Sequence, residues 1–298
     1  MCNRLRSRGE LSLATGTPAG DYMSVSDLPM QIYDIDHDGL NEVICVMEDT
    51  LLILEGKTGN VERMAVLPDT NAHDAIAIAN LTGDGSPSEL LLKDRYKNVY
   101  ALDSDLKELW GFNGNIGHYV RPFDFDGDGK DEIIAGHHFL DHEGNELWTV
   151  DERGHMDAIW VGDIDNAPEN GCEIAFAAET NRPIVYNKEG RVVWSFDGGD
   201  NVKHMQHVVM GDFRPELEGL EVAFYARDSH RLVLFSVTGD SLAEKNGYGR
   251  IAVIDMVENY AGDNRDYILL YRGSSKHPAV LDGNLNVVVE FPTPAPNK

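Results

Sequence analysis

Positive charge is scarce in this sequence. Only 25 Lys and Arg stand against 51 Asp and Glu in 298 residues, a formal net charge of -26. Nucleic acid is therefore excluded as a partner, because its phosphates need a basic footprint, and an anionic membrane surface is disfavoured on the same ground. Cysteine is nearly absent: Cys2, Cys45 and Cys172 are too few and too scattered for a disulfide framework or a zinc site. No apolar run approaches the roughly 18 residues of a transmembrane helix. The opening Met1-Cys-Asn-Arg-Leu-Arg-Ser-Arg has no apolar stretch of the secretory kind. On that reading the chain is cytoplasmic, or secreted if a leader has been lost. No Gly-rich phosphate loop, nucleophile elbow or HExxH motif is present.

What the sequence does have is one acidic signature in six copies. Two are intact, Asp34-Ile-Asp36-His-Asp38-Gly-Leu-Asn-Glu42 and Asp124-Phe-Asp126-Gly-Asp128-Gly-Lys-Asp-Glu132. Four eroded copies start near Asn80, Asp163, Asp212 and Asp255, so successive starts lie 46, 44, 39, 49 and 43 residues apart. A repeat of about 44 residues in a strand-rich chain points to a β-propeller or a solenoid. The third copy decides between them. His118–Phe123 reads as a strand entering the acidic loop, Glu132–Gly136 as a second, Phe139-Leu140 as a third and Glu146–Val150 as a fourth. Four short runs of β-branched and aromatic residues, punctuated by Gly and Asn or Asp turns, make an antiparallel meander, which is one propeller blade. The expected fold is all-β: one propeller domain over residues 1–298 with four-stranded blades and six full repeats. A partial seventh is left open by the orphan strand pattern Gly9-Glu-Leu-Ser-Leu13.

Carboxylates at positions 1, 3, 5 and 9 of a tight loop, with Gly at 6, gather hard oxygen ligands of the kind that suit Ca²⁺. The expected metal ligands are Asp34, Asp36, Asp38 and Glu42 in the first loop and Asp124, Asp126, Asp128 and Glu132 in the third. The sets at Asn80-Leu-Thr82-Gly-Asp84 and Asp163-Ile-Asp165 are incomplete, and at Asp212 and Asp255 the spacing fails, which reads as a plain turn. Any bound Ca²⁺ is expected to be structural.

Strand order also phases the histidines. In a meander the acidic loops lie at one end of the strands, while first-strand starts and the turns joining second to third strands share the other end. Nine of the eleven histidines fall at that other end. His73, His118, His155, His204 and His207 mark first-strand starts; His137, His138, His230 and His277 lie in or beside the turns. Lys93, Arg95, Arg121, Arg182, Arg227, Tyr248, Arg250, Arg272 and Lys276 share that end. In a propeller the first strands line the central channel, so this end is expected to form a ligand site at the mouth. A ring of His, Tyr and Arg suits binding an anionic sugar, or removing a proton next to a carboxylate.

Two segments carry a family resemblance. Gly154-His-Met-Asp-Ala-Ile-Trp-Val-Gly-Asp-Ile-Asp165 resembles the propeller-type rhamnogalacturonan lyases, and Gln206-His-Val-Val-Met-Gly-Asp-Phe-Arg-Pro-Glu-Leu-Glu-Gly-Leu-Glu221 is similar to related propeller lyases. The resemblance implies Ca²⁺ loops, a site at the propeller mouth and β-elimination at a uronate next to rhamnose. It also implies a further divalent metal at the histidine cluster, with His155 and its neighbour Asp157 carried over. The expected partner is a uronate-containing glycan met by a monomeric chain. The expected base is His118 or His207, the proton donor Tyr119 or Tyr248, and the carboxylate clamps Arg121 and Arg250. His73, His138, His155, Asp157, His204 and Arg95 are expected to hold substrate or metal. Two alternatives stay open. One is a non-catalytic calcium-binding interaction module of the integrin-like FG-GAP type, which shares the Asp-rich loops; the other is a truncated lyase.

Overall fold

A computed structural model describes residues 30–150, 154–167, 169–180, 182–199, 204–249, 251–272 and 277–292. The described residues hold twenty-four strands in six antiparallel four-stranded sheets and no α-helix. In chain order the sheets comprise β1–β4 (Met30–Tyr33, Glu42–Met47, Thr50–Glu55, Val61–Val66) and β5–β8 (Ala75–Ala79, Glu89–Lys93, Asn98–Leu102, Glu108–Asn113). Next come β9–β12 (Val120–Phe123, Glu132–Ala135, His138–Leu140, Glu146–Thr149) and β13–β16 (Met156–Gly162, Glu173–Ala178, Ile184–Asn187, Val192–Ser195). The last two are β17–β20 (Met205–Gly211, Glu221–Ala226, Arg231–Phe235, Ser241–Lys245) and β21–β24 (Ile251–Val257, Tyr267–Arg272, Ala279–Leu281, Val287–Glu290). Every sheet is a meander in which sequential strands pair, the blade of a β-propeller. The chain divides into two compact units, one holding the first three blades and one the last three. The strand pattern at Gly9–Leu13 lies outside the described residues.

Burial explains why second strands read as unbroken apolar runs. Strands β6, β10, β14 and β18 are buried at every position, because a neighbouring blade can cover each face. Ile44, Leu51 and Ile53 of the first blade meet Ile76, Leu90 and Leu92 of the second. In the other unit, Ala175 and Val185 of the fourth blade meet Val222 and Phe224 of the fifth. Fourth strands are edge strands, and their exposed positions alternate along β4 and β8. Each of the six third-to-fourth strand pairings carries a register shift. A bulge there twists the free edge and blunts its capacity to template another chain. Trp110 of β8 seals the next hairpin turn: its Nε1 donates to the His142 carbonyl at 3.0 Å. Gly144 there has φ +83, and a Cβ on it would stand 2.6 Å from the indole.

The acidic loops obey a second rule. Each of the first five blades opens its second strand on a buried glutamate, Glu42, Glu89, Glu132, Glu173 or Glu221. That carboxylate accepts a backbone N–H from the start of its own loop: Ile35 at 3.0 Å, Leu81 at 2.8, Phe125 at 2.9, Ile164 at 2.9 and Arg214 at 2.8. The hydrogen bond folds the loop back and drives an apolar plug inward, since Ile35, Leu81, Phe125, Ile164 and Phe213 are all buried. The sixth blade departs from the sequence reading: Asp255 lies within β21 rather than opening a loop, and Tyr267 begins the second strand where the other blades carry the glutamate. Asp266 bonds back to the fifth blade, its N–H to the Asp212 carbonyl at 2.7 Å and its carboxylate to the Asp212 N–H at 2.9 Å. Asp131 sews the third blade to the second in the same way through Asn80.

Replacing Glu89 by Ala would strand the Leu81 N–H and the Thr82 and Ser88 hydroxyls that its carboxylate now accepts. The expected loss is about 2–4 kcal/mol in chemical denaturation, with Glu89→Gln costing less. An unchanged midpoint for Glu89→Ala would refute a framework role for these glutamates.

Candidate functional site

At the ends of the strands away from the acidic loops, first-strand starts meet second-to-third turns within each unit. In the first unit, Asp74 before β5 faces Lys93 and Arg95 beyond β6. Buried Lys93 Nζ lies 3.2 Å from Asp74 Oδ2 and Arg95 reaches Oδ1 at 3.3 Å. Arg95 also donates to the Tyr96 hydroxyl at 3.1 Å, and the His118 ring meets Tyr96 edge-on at 5.3 Å between centroids. His73 and Tyr119 are half-buried beside this group, and Arg121 lies half-buried within β9. His138 does not belong to the site. Its Nδ1 bonds Glu146 within the third blade at 2.5 Å and its Nε2 accepts the N–H of Asn115, in the segment leading from the second blade, at 3.0 Å, so both nitrogens are committed.

The second unit assembles a denser cluster. The pairing of β13 with β14 slips between Met156 and Ala158, and the pairing of β17 with β18 slips between Met205 and His207. Asp157 and Gln206 are therefore the bulged residues at matching positions of two successive blades. Bulges re-aim side chains, and these two meet: Gln206 Nε2 donates to Asp157 Oδ1 at 2.6 Å. His155 Nε2 lies 3.2 Å from the same oxygen, and its Nδ1 lies 3.1 Å from Glu179 at the end of β14. Hydrogen bonding to Asp157, reinforced by the charges of Asp157 and Glu179, raises the His155 pKa against the opposing effect of burial. A ring whose two nitrogens each face a carboxylate has its imidazolium form favoured. His204, at φ +57, brings Nε2 to 3.0 Å from Asp157 Oδ2, in ion-pair range but not aligned for a linear hydrogen bond. Asp157 and His204 are buried, while the His155 and Glu179 side chains are 26% and 47% exposed and are the parts of this cluster that a ligand can reach.

Two expected residues fall away and one cannot be placed. Tyr248 is a core side chain, not a surface proton donor; it packs with Ile251 and Leu285, and its hydroxyl donates to the Leu285 carbonyl. His207 stacks on Tyr225 at 6.1 Å and 17°, pointing along its own blade rather than into the Asp157 cluster. Arg250 lies outside the described residues. Glu179 and Gln206 were not singled out from sequence; a bulge is invisible in a residue pattern, and only the turn position of Glu179 could have flagged it.

In the acidic loops, Asp34, Asp36 and Glu42 each offer an oxygen within 4.8 Å of the others, as do Asp124, Asp126 and Glu132. Asp38 and Asp128 lie outside these groups; they cap the turn instead, accepting the Leu40 and Lys130 N–H groups. Asp163, Asp165 and Glu173 form a third such triangle despite the two-residue insertion that disguised it. The remaining loops replace the triangle with other chemistry. In the second, Thr82 and Ser88 hydroxyls bond Glu89 at 3.1 and 3.0 Å. In the fifth, Arg214 occupies the place of the second carboxylate and its charge opposes the rise of the Glu221 pKa. Burial, with repulsion from the loop aspartates, pushes Glu132 and Glu173 up to about 7.

Six meander blades, with a bulged polar cluster at one end of the strands and acidic loops at the other, define a β-propeller protein. Residues 91–277 match the family described as rhamnogalacturonan lyase family 11, C-terminal domain. That is more than half of the chain, and the chain belongs to this family. It is 30% identical over 134 residues to the rhamnogalacturonan endolyase YesW of Bacillus subtilis, 43% of this chain and 21% of that one. It is 33% identical over 113 residues to the rhamnogalacturonan exolyase YesX of the same organism, 36% of this chain and 18% of that one. The chain thus spans about a fifth of the length of these relatives. The crystal structure of YesX superposes with a TM-score of 0.70 at 21% identity, covering 88% of this chain and 54% of that one. The Vibrio cholerae biofilm matrix protein Bap1 superposes with a TM-score of 0.68 at 14% identity, covering 88% and 69%.

Glu132, Glu173 and Glu221 set a pH dependence. Their folded pKa of about 7 exceeds the ordinary value of 4.5, so the folded state holds protons more tightly than the unfolded one. Stability of the metal-free protein is then present below about 4.5 and declines as pH rises through about 7. Thermal melts in chelator should show this decline, and millimolar Ca²⁺ should raise the melting temperature more above the window than below it. A flat profile in chelator would contradict this assignment.

Proposed function

We propose that this chain is a polysaccharide lyase that cleaves rhamnogalacturonan by β-elimination, with the His155–Asp157–Glu179–His204 cluster in its active site. The observation that carries the reading is the position of this cluster, built on paired bulges, inside the segment that places the chain in the family. In the reaction a base removes the C5 proton of a galacturonate residue. The electron pair forms the C4–C5 double bond, the C4–O bond to the next sugar breaks, and the leaving oxygen takes up a proton. His155, whose pKa the neighbouring carboxylates raise, adds positive charge where the uronate carboxylate would sit. Lowering the cost of the negative charge that develops on that carboxylate is the larger catalytic contribution.

His155, once deprotonated, and Asp157 offer a ring nitrogen and a carboxylate oxygen to a divalent cation, which would supply further charge neutralisation of the substrate carboxylate. The acidic triangles fit structural Ca²⁺. Each offers three hard oxygens, and Asp34 Oδ1 in the first is buried with no hydrogen-bond partner.

A second reading, a calcium-loaded glycan-binding module without cleavage, is favoured by the small share of its relatives that the chain spans. Incubation with rhamnogalacturonan and Ca²⁺ separates the two. A lyase generates the ultraviolet absorbance of a 4,5-unsaturated uronate, and His155→Ala or Asp157→Asn should lower the rate by about 10²-fold or more. Retained glycan binding with no absorbance change would favour the module.

A further inference from the structure

The cluster around Asp157 is backed by a hydrogen-bond chain that none of the proposed chemical steps uses. Arg227, in the turn after β18, donates from Nη1 to Gln206 Oε1 at 3.0 Å and from Nη2 to His204 Nδ1 at 2.9 Å. Gln206 passes the contact on, its amide nitrogen donating to Asp157 Oδ1 at 2.6 Å. We propose that Gln206 and Arg227 are positioning residues: Arg227 fixes the Gln206 amide and the His204 ring, and together these fix the Asp157 carboxylate. The proposal rests on the reading of His155 and Asp157 as a ligand centre and names the residues that hold that centre in shape.

The direction of every bond follows from the donors available. A guanidinium has N–H donors and no acceptor. His204 must therefore present its lone pair at Nδ1 and carry its proton on Nε2, the nitrogen that faces Asp157 Oδ2 at 3.0 Å. The opposite tautomer would set two N–H groups against each other at 2.9 Å. The Gln206 amide is likewise unambiguous, since only its oxygen can accept from Arg227 and only its nitrogen can donate to a carboxylate. Asp157 thus has one oxygen held by Gln206 and His155 and the other beside a His204 ring that Arg227 has oriented. The backbone supports the same arrangement. Gln206 is the bulged residue of β17 and His204, two residues earlier, stands at φ +57, so local strain accompanies the contact. Arg227 reaches Asp157 and His155 through Gln206 and His204.

Partners of this kind, one bond behind a ligating carboxylate or imidazole, typically change metal affinity or activity by about 10–100-fold when removed. The test uses the full chain labelled with ¹⁵N-histidine and compares the unaltered protein with Gln206→Leu, Arg227→Met and Arg227→Lys. One readout is the His204 tautomer, from long-range ¹H–¹⁵N correlations; the other is broadening of the His155 signals by Mn²⁺, which reports local binding whatever the acidic loops do. In the unaltered protein His204 is expected as the Nε2–H form. Arg227→Met should mix the tautomers, and it and Gln206→Leu should each raise the Mn²⁺ concentration needed to broaden His155 by about 10–100-fold. Arg227→Lys, which keeps one charge but cannot fork to both partners, should fall between; it also serves if Arg227→Met does not fold. A His204 signal of the same tautomer in every variant, with His155 broadened at one common Mn²⁺ concentration, overturns the proposal. If Mn²⁺ leaves His155 untouched in the unaltered protein, the metal-centre reading fails. The tautomer comparison then still decides the positioning role by itself.

Discussion

The structure depends on the carboxylate buried at the head of the second strand in each of the first five blades. An ionised group in an apolar setting is costly unless it is hydrogen-bonded or neutralised. Here it is kept because it satisfies a backbone N–H that the tight loop would otherwise bury unpaired. That one bond turns the loop, seats an apolar plug and fixes where the second strand begins, and so sets the register of the blade. What differs among blades is how the remaining negative charge is met. Thr82 and Ser88 meet it with hydroxyls, Arg214 with a guanidinium two residues past Asp212, and three loops with a carboxylate triangle of the kind that takes a hard cation. The acidic repeat is therefore one structural solution with interchangeable counter-charges. Its erosion in the second and fifth copies is substitution rather than decay.

The other end of the same strands has the opposite character. There the side chains differ from blade to blade, and the ends of β13 and β17 depart from regular pairing at Asp157 and Gln206. A strand of regular pleat sends alternate side chains to alternate faces. A bulge breaks that alternation for one residue and lets a polar side chain reach the next blade, where a regular pleat would aim it into the apolar layer between sheets. Rigid acidic loops at one end and re-aimed side chains at the other divide labour along each blade.

Much of this was legible in the residue pattern, because it is periodic. Spacing of the acidic copies fixed the blade phase, and the third copy placed all four strands to within two residues. The phase in turn identified which strand ends would bring His155, Asp157 and His204 together. What escaped were features that depend on geometry rather than composition. Asp255 looked like a loop opener but sits within β21, and the second strand of that blade begins at Tyr267 with no glutamate to fold a loop back. The triangle of Asp163, Asp165 and Glu173 was hidden by two inserted residues that the turn absorbs without moving its ends. Tyr248 and His138 shared the right phase with the site, yet their polar atoms were already committed to Leu285 and to Glu146 and Asn115. Phase gives the end of the strand; it does not say which side chains are free to act there.

The contrast between the two units sharpens that point. In the first, Asp74 is closed off by Lys93 and Arg95, a carboxylate balanced by two fixed cations at salt-bridge distance. In the second, Asp157 occupies the corresponding first-strand start, but its neighbours are two imidazoles and an amide. An imidazole can give up or take a proton, or turn a lone pair to a metal, at small cost; a guanidinium cannot. The same position in the blade is thus a permanent ion pair in one unit and an exchangeable one in the other. The difference lies in whether the cation touches the carboxylate directly or, as with Arg227, stands one residue behind it. Set back in that way, the arginine orders the site while leaving Asp157 to partners that can change.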